Sequence, residues 1–165
     1  MGGTTPAPWS IPYPVGTDRV ADGDNAMQAI AERVAAICNL LPRGLVQTHY
    51  AAGSWTIGDS VIVTLPAYAC TESRDVLVTI DFMWAGGANG SGFYGYLRDN
   101  GADVLRFDYS EGSIGLKKLT FALRLQAIVP GSHAYSIRLS GWASNAGVVS
   151  NPTLAIWDMG ATGAI

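Results

Sequence analysis

Between Lys118 and Ile128 the side chains alternate, with Leu119, Phe121, Leu123, Leu125 and Ala127 on one face and Lys118, Thr120, Arg124 and Gln126 on the other. A period of two is the mark of a half-buried β-strand. Asp75 to Trp84 places Val76, Val78, Ile80, Phe82 and Trp84 together, with Thr79 and Asp81 opposite. Ala134 to Trp142 alternates Tyr135, Ile137 and Leu139 with Ser136, Arg138 and Ser140. Shorter runs of the same kind lie at Leu45–Tyr50, Val61–Leu65, Phe93–Arg98, Val104–Tyr109 and Leu154–Met159. Turn signals fall between them: Asn89-Gly90, Asn100-Gly101, Pro130-Gly131 and Asn151-Pro152. About eight short strands with regular punctuation predict a mainly β fold. The expected architecture over residues 44–165 is an antiparallel, jelly-roll-like β-sandwich head.

Upstream the period changes. Met27, Ile30, Val34, Ile37 and Leu41 recur at spacings of 3, 4, 3 and 4. That is the apolar seam of a short coiled coil. Asp24 is the expected N-cap, and Pro42 and Gly44 stop the helix, which gives an α-helix within residues 24–42. Two heptads are too short to stand alone. The seam packs either on symmetry mates around a threefold axis or on the chain's own sheet, and the first is the expectation carried forward. Residues 1–23 hold four of the eight prolines, Pro6, Pro8, Pro12 and Pro14. Proline removes a backbone donor, so this stretch is expected to be an extended arm. Trp9, Ile11, Pro12, Tyr13 and Pro14 are its expected attachment anchors.

Composition sharpens the picture. Of 165 residues, 48% are hydrophobic and only 14% charged, against about 25% charged in ordinary soluble domains. A domain of this size has too little interior for that apolar content, so part is expected to be buried between subunits. The net charge of −3 offers no footprint for nucleic acid or an anionic membrane. Neither a signal peptide nor a spanning segment is visible, so the chain is expected to be made in the cytoplasm. Cys38 and Cys70 read as small buried apolar residues rather than as a disulfide.

Catalytic chemistry is hard to find. His49 and His133 are isolated, with no Cys or carboxylate at a metal-ligand spacing. No nucleophile elbow stands between a strand and a helix. Asp99, Asp103, Asp108 and Glu111 gather around one hairpin. A carboxylate pair about 5–10 Å apart can hydrolyse a glycosidic bond, and carboxylates can hold calcium, but a solvated hairpin is the expected reading. The glycine-rich run 86–92 lacks the lysine and helix of a phosphate loop. No catalytic, cofactor or metal site is therefore assigned. Asn89, Phe93, Tyr94 and Tyr96, at and after that run, form the expected host-contact tip, and Trp142 and Trp157 lie in later strands.

Trp9-Ser-Ile-Pro-Tyr-Pro14, Gly16-Thr-Asp-Arg19 and Ala21-Asp-Gly-Asp-Asn-Ala26-Met-Gln-Ala-Ile30-Ala-Glu-Arg-Val34 resemble the opening of small fibre, minor tail and head-decoration proteins of tailed phages, particularly those of actinobacteria. Val129-Pro-Gly-Ser-His-Ala-Tyr-Ser-Ile-Arg-Leu139 and Leu154-Ala-Ile-Trp-Asp-Met-Gly160 are similar to strands of phage fibre heads with a jelly-roll or tumour-necrosis-factor-like sandwich. The resemblance implies a homotrimer on the virion, attached through its arm to capsid or tail proteins. A host-surface glycan is a further implied partner. The alternative is a glycan-binding or glycan-degrading domain.

Overall fold

The computed structural model describes residues 3–4, 12–13, 20–87, 91–111, 115–141 and 147–163, with side chains from residue 25 onward. The chain divides into two compact units, Met1–Pro42 with Gly163–Ile165, and Arg43–Thr162.

In the first unit, β1 (Gly3–Thr4) pairs antiparallel with β2 (Pro12–Tyr13), Gly3 opposite Tyr13 and Thr4 opposite Pro12. Both are short pieces of extended backbone, and their pairing sets residues 3–4 beside residues 12–13. Helix α1 spans Val20–Leu40. Its backbone runs through Asp24, so Asp24 is not the cap. Val20 stands one heptad before Met27 and continues the apolar repeat upstream, which is why the helix starts earlier than the acidic pair suggested. No helix among the described residues is long and apolar enough to cross a membrane.

The second unit is the head. Its strands are β3 (Gly44–Tyr50), β4 (Ser54–Thr56), β5 (Ser60–Thr64), β6 (Tyr68–Cys70), β7 (Arg74–Ala85), β8 (Gly92–Asp99), β9 (Ala102–Ser110), β10 (Leu116–Ile128), β11 (Gly131–His133), β12 (Tyr135–Gly141) and β13 (Val148–Ala161). One sheet has the order β10-β7-β13-β3, with β4 also on β13; the other has the order β5-β12-β8-β9; β6 and β11 form a small ribbon. All pairings are antiparallel. The chain crosses between the sheets as it goes, β5 to β7, β7 to β8, β9 to β10, β10 to β12 and β12 to β13. That wrapping is the jelly-roll-like sandwich expected from the alternation.

The alternation also decides what is inside. On β7, Arg74, Val76, Val78, Ile80, Phe82 and Trp84 are buried, and the residues between them are not. Facing them from the other sheet are Phe93, Leu97, Tyr135, Ile137 and Leu139, all buried. Aromatic rings close one end of this core. Trp84 meets Phe93 edge-on with centroids 5.2 Å apart, Phe82 lies 5.7 Å from Phe93, and Phe107 lies 4.7 Å from Phe121. Such pairs contribute about 0.5–1.5 kcal/mol each beyond burial.

Three local features depart from the pattern or refine it. Asn151-Pro152, read as a turn, lies inside β13, where the register slips between Ser150 and Thr153 and Asn151 takes φ +53°. A bulge tolerates a proline that a regular ladder would not. Asn100-Gly101 is a true hairpin turn between β8 and β9, with φ of +49° and +85°, the double left-handed geometry that matches strand twist. Strands β4, β6 and β11 have three residues each, too few to show a period.

One buried ion pair sits in the core. Asp158 is fully buried, and Arg74 beside it is 1% exposed. The Arg74 Nε donates to Asp158 Oδ1 at 2.8 Å, Tyr68 Oη donates to Oδ2 at 2.9 Å, and the Gly160 amide donates to Oδ1 at 2.9 Å. Burial, and the Asp158 carboxylate at its hydroxyl, push the Tyr68 pKa up. Removing one partner strands the other charge away from water, so Arg74→Met should lower stability by about 3–5 kcal/mol, read as a shift in the denaturant midpoint. A Cβ added at Gly147 would lie 2.2 Å from the Trp84 ring and 2.6 Å from the Ala85 carbonyl oxygen. Gly147→Ala should cost about 1–3 kcal/mol by overpacking, seen in the same measurement.

Candidate functional site

Strand β8 builds the best-defined surface on the head. Its alternation sends Phe93 and Leu97 inward and Tyr94, Tyr96 and Arg98 outward. Register then sets their neighbours. Tyr96 lies between Arg138 of β12 and Arg106 of β9, and Tyr94 lies between Ser140 and Asp108. The Arg138 guanidinium stacks over the Tyr96 ring at 4.2 Å, and that of Arg106 stacks over Tyr94 at 4.2 Å. Each contact is a cation on a π face.

Carboxylates hold the cations in place. Arg106 donates two hydrogen bonds to Asp108, both at 2.8 Å. Arg138 donates to Asp103 at 2.5 Å and to Asp59. Arg98 lies 3.1 Å from Asp103. The hydrogen bond to Asp108 raises the Arg106 pKa, and those to Asp103 and Asp59 raise the Arg138 pKa. The outer face of β12-β8-β9 is thus a ladder of Tyr, Arg and Asp. It presents π faces and paired charge on a sheet surface.

The sequence-predicted tip is only partly assembled here. Tyr94 and Tyr96 are brought together on the sheet. Phe93 is fully buried among Phe82, Trp84, Tyr109 and Phe121, so it is a core residue and not a contact. Phe93 and Tyr94 are adjacent in sequence, and in a strand one step changes the face. Asn89 and Trp142 lie outside the described residues, and Trp157 is 37% exposed on β13. Arg106 and Arg138, which the tip assignment lacked, were visible as polar positions in alternating strands; their register opposite Tyr96 was not.

The carboxylates of the β8–β9 hairpin are taken up by different partners. Asp103 and Asp108 lie in the outer ladder. Asp99 points inward to His133, 2.6 Å away. Glu111 is buried and accepts from Tyr109 at 3.3 Å and from Lys117. Each is engaged by a cationic or hydroxyl partner.

On α1, Met27 and Val34 of the predicted seam are 63% and 44% exposed, while Ile30 and Ile37 are half-buried; Leu41, just past the end of the helix, is 48% exposed. Leu40 adds further exposed apolar surface. Gln28 donates to Glu32 at 2.8 Å along the helix. Cys38 is free and exposed, not buried as its type suggested, because it lies off the seam; Cys70 is free and buried. Of the arm residues, Pro12 and Tyr13 form β2, and Trp9, Ile11 and Pro14 lie outside the described residues.

Arg138 ties Tyr96, Asp103 and Asp59 together. Arg138→Ala should lower stability by about 1 kcal/mol. Because the pairs are surface pairs, the difference should shrink in high salt, which chemical unfolding at two ionic strengths would show.

No family model matches the chain, and no curated protein matches it. Among solved structures it is similar to the Eiger TNF from S. frugiperda, at 7% identity and a TM-score of 0.46, over 73% of this chain and 96% of that one. It is also similar to a structure of infectious bursal disease virus, Gx strain, at 13% identity and a TM-score of 0.43, over 74% of this chain and 37% of that one. A third is the C-terminal CBM6 of LamC from Zobellia galactanivorans, at 13% identity and a TM-score of 0.37, over 71% and 92%. These likenesses lie at low identity and below a TM-score of 0.5, so no functional argument rests on them.

Proposed function

We propose that the chain is a non-enzymatic structural protein of a tailed-phage virion, displayed on the particle surface as a homotrimer. It would serve as capsid decoration or head fibre, or as tail fibre or minor tail protein. The observation that carries this reading is the apolar seam along α1, where Met27 and Val34, with Leu41 just past the helix end, are exposed at heptad spacing. An amphipathic helix with its apolar stripe in water is unstable, and self-association removes the cost. Ile30 and Ile37 occupy the second seam position, where isoleucine favours three or four strands over two. The head supports the same conclusion, since Leu45, Tyr50, Trp157 and Met159 leave 49%, 57%, 37% and 45% of their surface exposed on β3 and β13. The arm, through Trp9, Ile11, Pro12, Tyr13 and Pro14, would attach the trimer to capsid or tail proteins. The engagement of Asp99, Asp103, Asp108 and Glu111 by different partners supports a reading without hydrolysis.

A second reading is favoured by the Tyr94–Tyr96 ladder, whose rings and charged groups suit a host-surface glycan. In that case the head is a glycan-binding domain.

Light scattering should give three times the 17.3 kDa chain mass. Val34→Asp puts a charge into the seam and should yield monomers while the far-ultraviolet strand signal persists. A wild-type monomer at micromolar concentration would sink the trimer. Immunogold labelling of intact particles with an antibody to the head should place gold on the capsid or the tail, and bare, antigen-positive particles would count against display.

A further inference from the structure

His133 ends β11 and lies inside the head, 5% exposed. Its Nδ1 is 2.6 Å from Oδ2 of Asp99, and its Nε2 is 2.8 Å from the carbonyl oxygen of Val129. A carboxylate and a carbonyl both accept and neither donates. A neutral imidazole has one donor and one acceptor. Either neutral tautomer would therefore leave a ring lone pair facing an oxygen. Only the imidazolium, with two donors, satisfies both contacts.

The other titratable groups around the ring do not change this arithmetic. From β12, the Tyr135 ring stacks on His133 at 5.9 Å and 11°, and burial pushes its phenol pKa up, so it stays neutral. From β6, Tyr68 is the register partner of His133, and its hydroxyl is committed to Asp158, which Arg74 holds. Cys70, also on β6, donates a weak sulfur hydrogen bond to the same Val129 carbonyl at 3.5 Å. From β8, Asp99 supplies the facing negative charge, and its Oδ1 is buried with no hydrogen-bond partner among the described residues.

The ring joins two pieces of chain. Asp99 is the last residue of β8, next to the Asn100-Gly101 turn, and Val129 lies in the link from β10 to β11. Asn100 fastens the same turn to the start of β12 by bonds that do not titrate. Its amide donates to the Ala134 carbonyl at 3.0 Å, its Nδ2 donates to the Ser132 carbonyl at 2.9 Å, and its Oδ1 accepts from the Ala134 amide at 3.0 Å.

We propose that His133 is a proton-operated latch between the β8–β9 turn and the Val129–Gly131 link. With the imidazolium in place both ends are fastened. When the proton leaves, one ring nitrogen keeps its bond to Asp99 and the other turns a lone pair on the Val129 carbonyl. The link is released, while Asn100 keeps the turn in position. This latch does not depend on the virion reading. Burial alone would lower the His133 pKa, but the Asp99 hydrogen bond, the Val129 carbonyl and the Asp99 charge together raise it. A raised folded-state pKa gives stability that is complete below the unfolded value of about 6.5 and is lost as pH rises through the folded value.

The test is an NMR titration of the His133 ring in the full chain, with amide exchange and denaturant midpoints measured across the same pH range. His133 should titrate above 6.5. Exchange in Gly131 and Ser132 should rise above the intrinsic base-catalysed trend as that pH is passed. The unfolding equilibrium should shift about tenfold for each unit between the folded and unfolded pKa values. His133→Gln should remove the pH step, and Asp99→Asn should lower the His133 pKa while the hairpin stays paired. If His133→Gln does not fold, the wild-type and Asp99→Asn titrations still decide the matter. A His133 that titrates at or below 6.5, or a stability step that survives in His133→Gln, would overturn the latch.

Discussion

Everything in the head depends on β7 facing β8 and β12 across one apolar layer. The inward row of β7, from Val76 to Trp84, meets Phe93, Leu97, Ile137 and Leu139, and all are buried to 2% exposure or less. A shift of one residue in any of these strands would bring polar side chains into the layer and turn its apolar ones to water. The layer therefore fixes the register of both sheets. That register in turn places Arg106 and Arg138 beside Tyr96. The outer ladder follows from what the inner faces require.

The two outer faces solve the problem of exposure differently. On β12-β8-β9 the outward groups are mostly Tyr, Arg, Asp and Ser, whose charges pair with one another, with Val104 the exposed apolar exception. On β3 and β13 the outward groups include Leu45, Tyr50 and Trp157, and they remain open to water. Local pairing is enough for the first face. The second is left with exposed apolar surface, the kind that marks interaction sites. The low charged fraction noted in the sequence is thus unevenly spread over the head.

Much of the fold was legible because long half-buried strands repeat every two residues. The stretches containing β7, β10 and β12 showed that repeat, and the folded strands extend them by a residue or two or match them closely. The helix was legible for the same reason, although its start was not, since Val20 and Ala21 carry no cap signal. Asn151-Pro152 misled because the same dipeptide suits a turn and a bulge, and only the pairing of β13 with β7 distinguishes them. The site was less legible. Tyr94 and Tyr96 could be named, but Phe93 was grouped with them when strand parity puts it inside. His133 looked isolated because its carboxylate partner Asp99 comes from another strand, and hydrogen bonding across 34 residues leaves no trace in local spacing.

The place of β13 has a consequence for the order in which the protein is made. β13 lies between β7 on one side and β3 and β4 on the other, and among the described residues β3 has no other strand beside it. All of those partners leave the ribosome before it does. Until β13 is translated, β3 has an open edge on both sides, and β7 can pair only with β10. By then α1, which precedes the head, has already emerged. If chains assemble through the helix as proposed above, they can meet while each sandwich still lacks its central strand, so that assembly would precede the completion of the head rather than follow it.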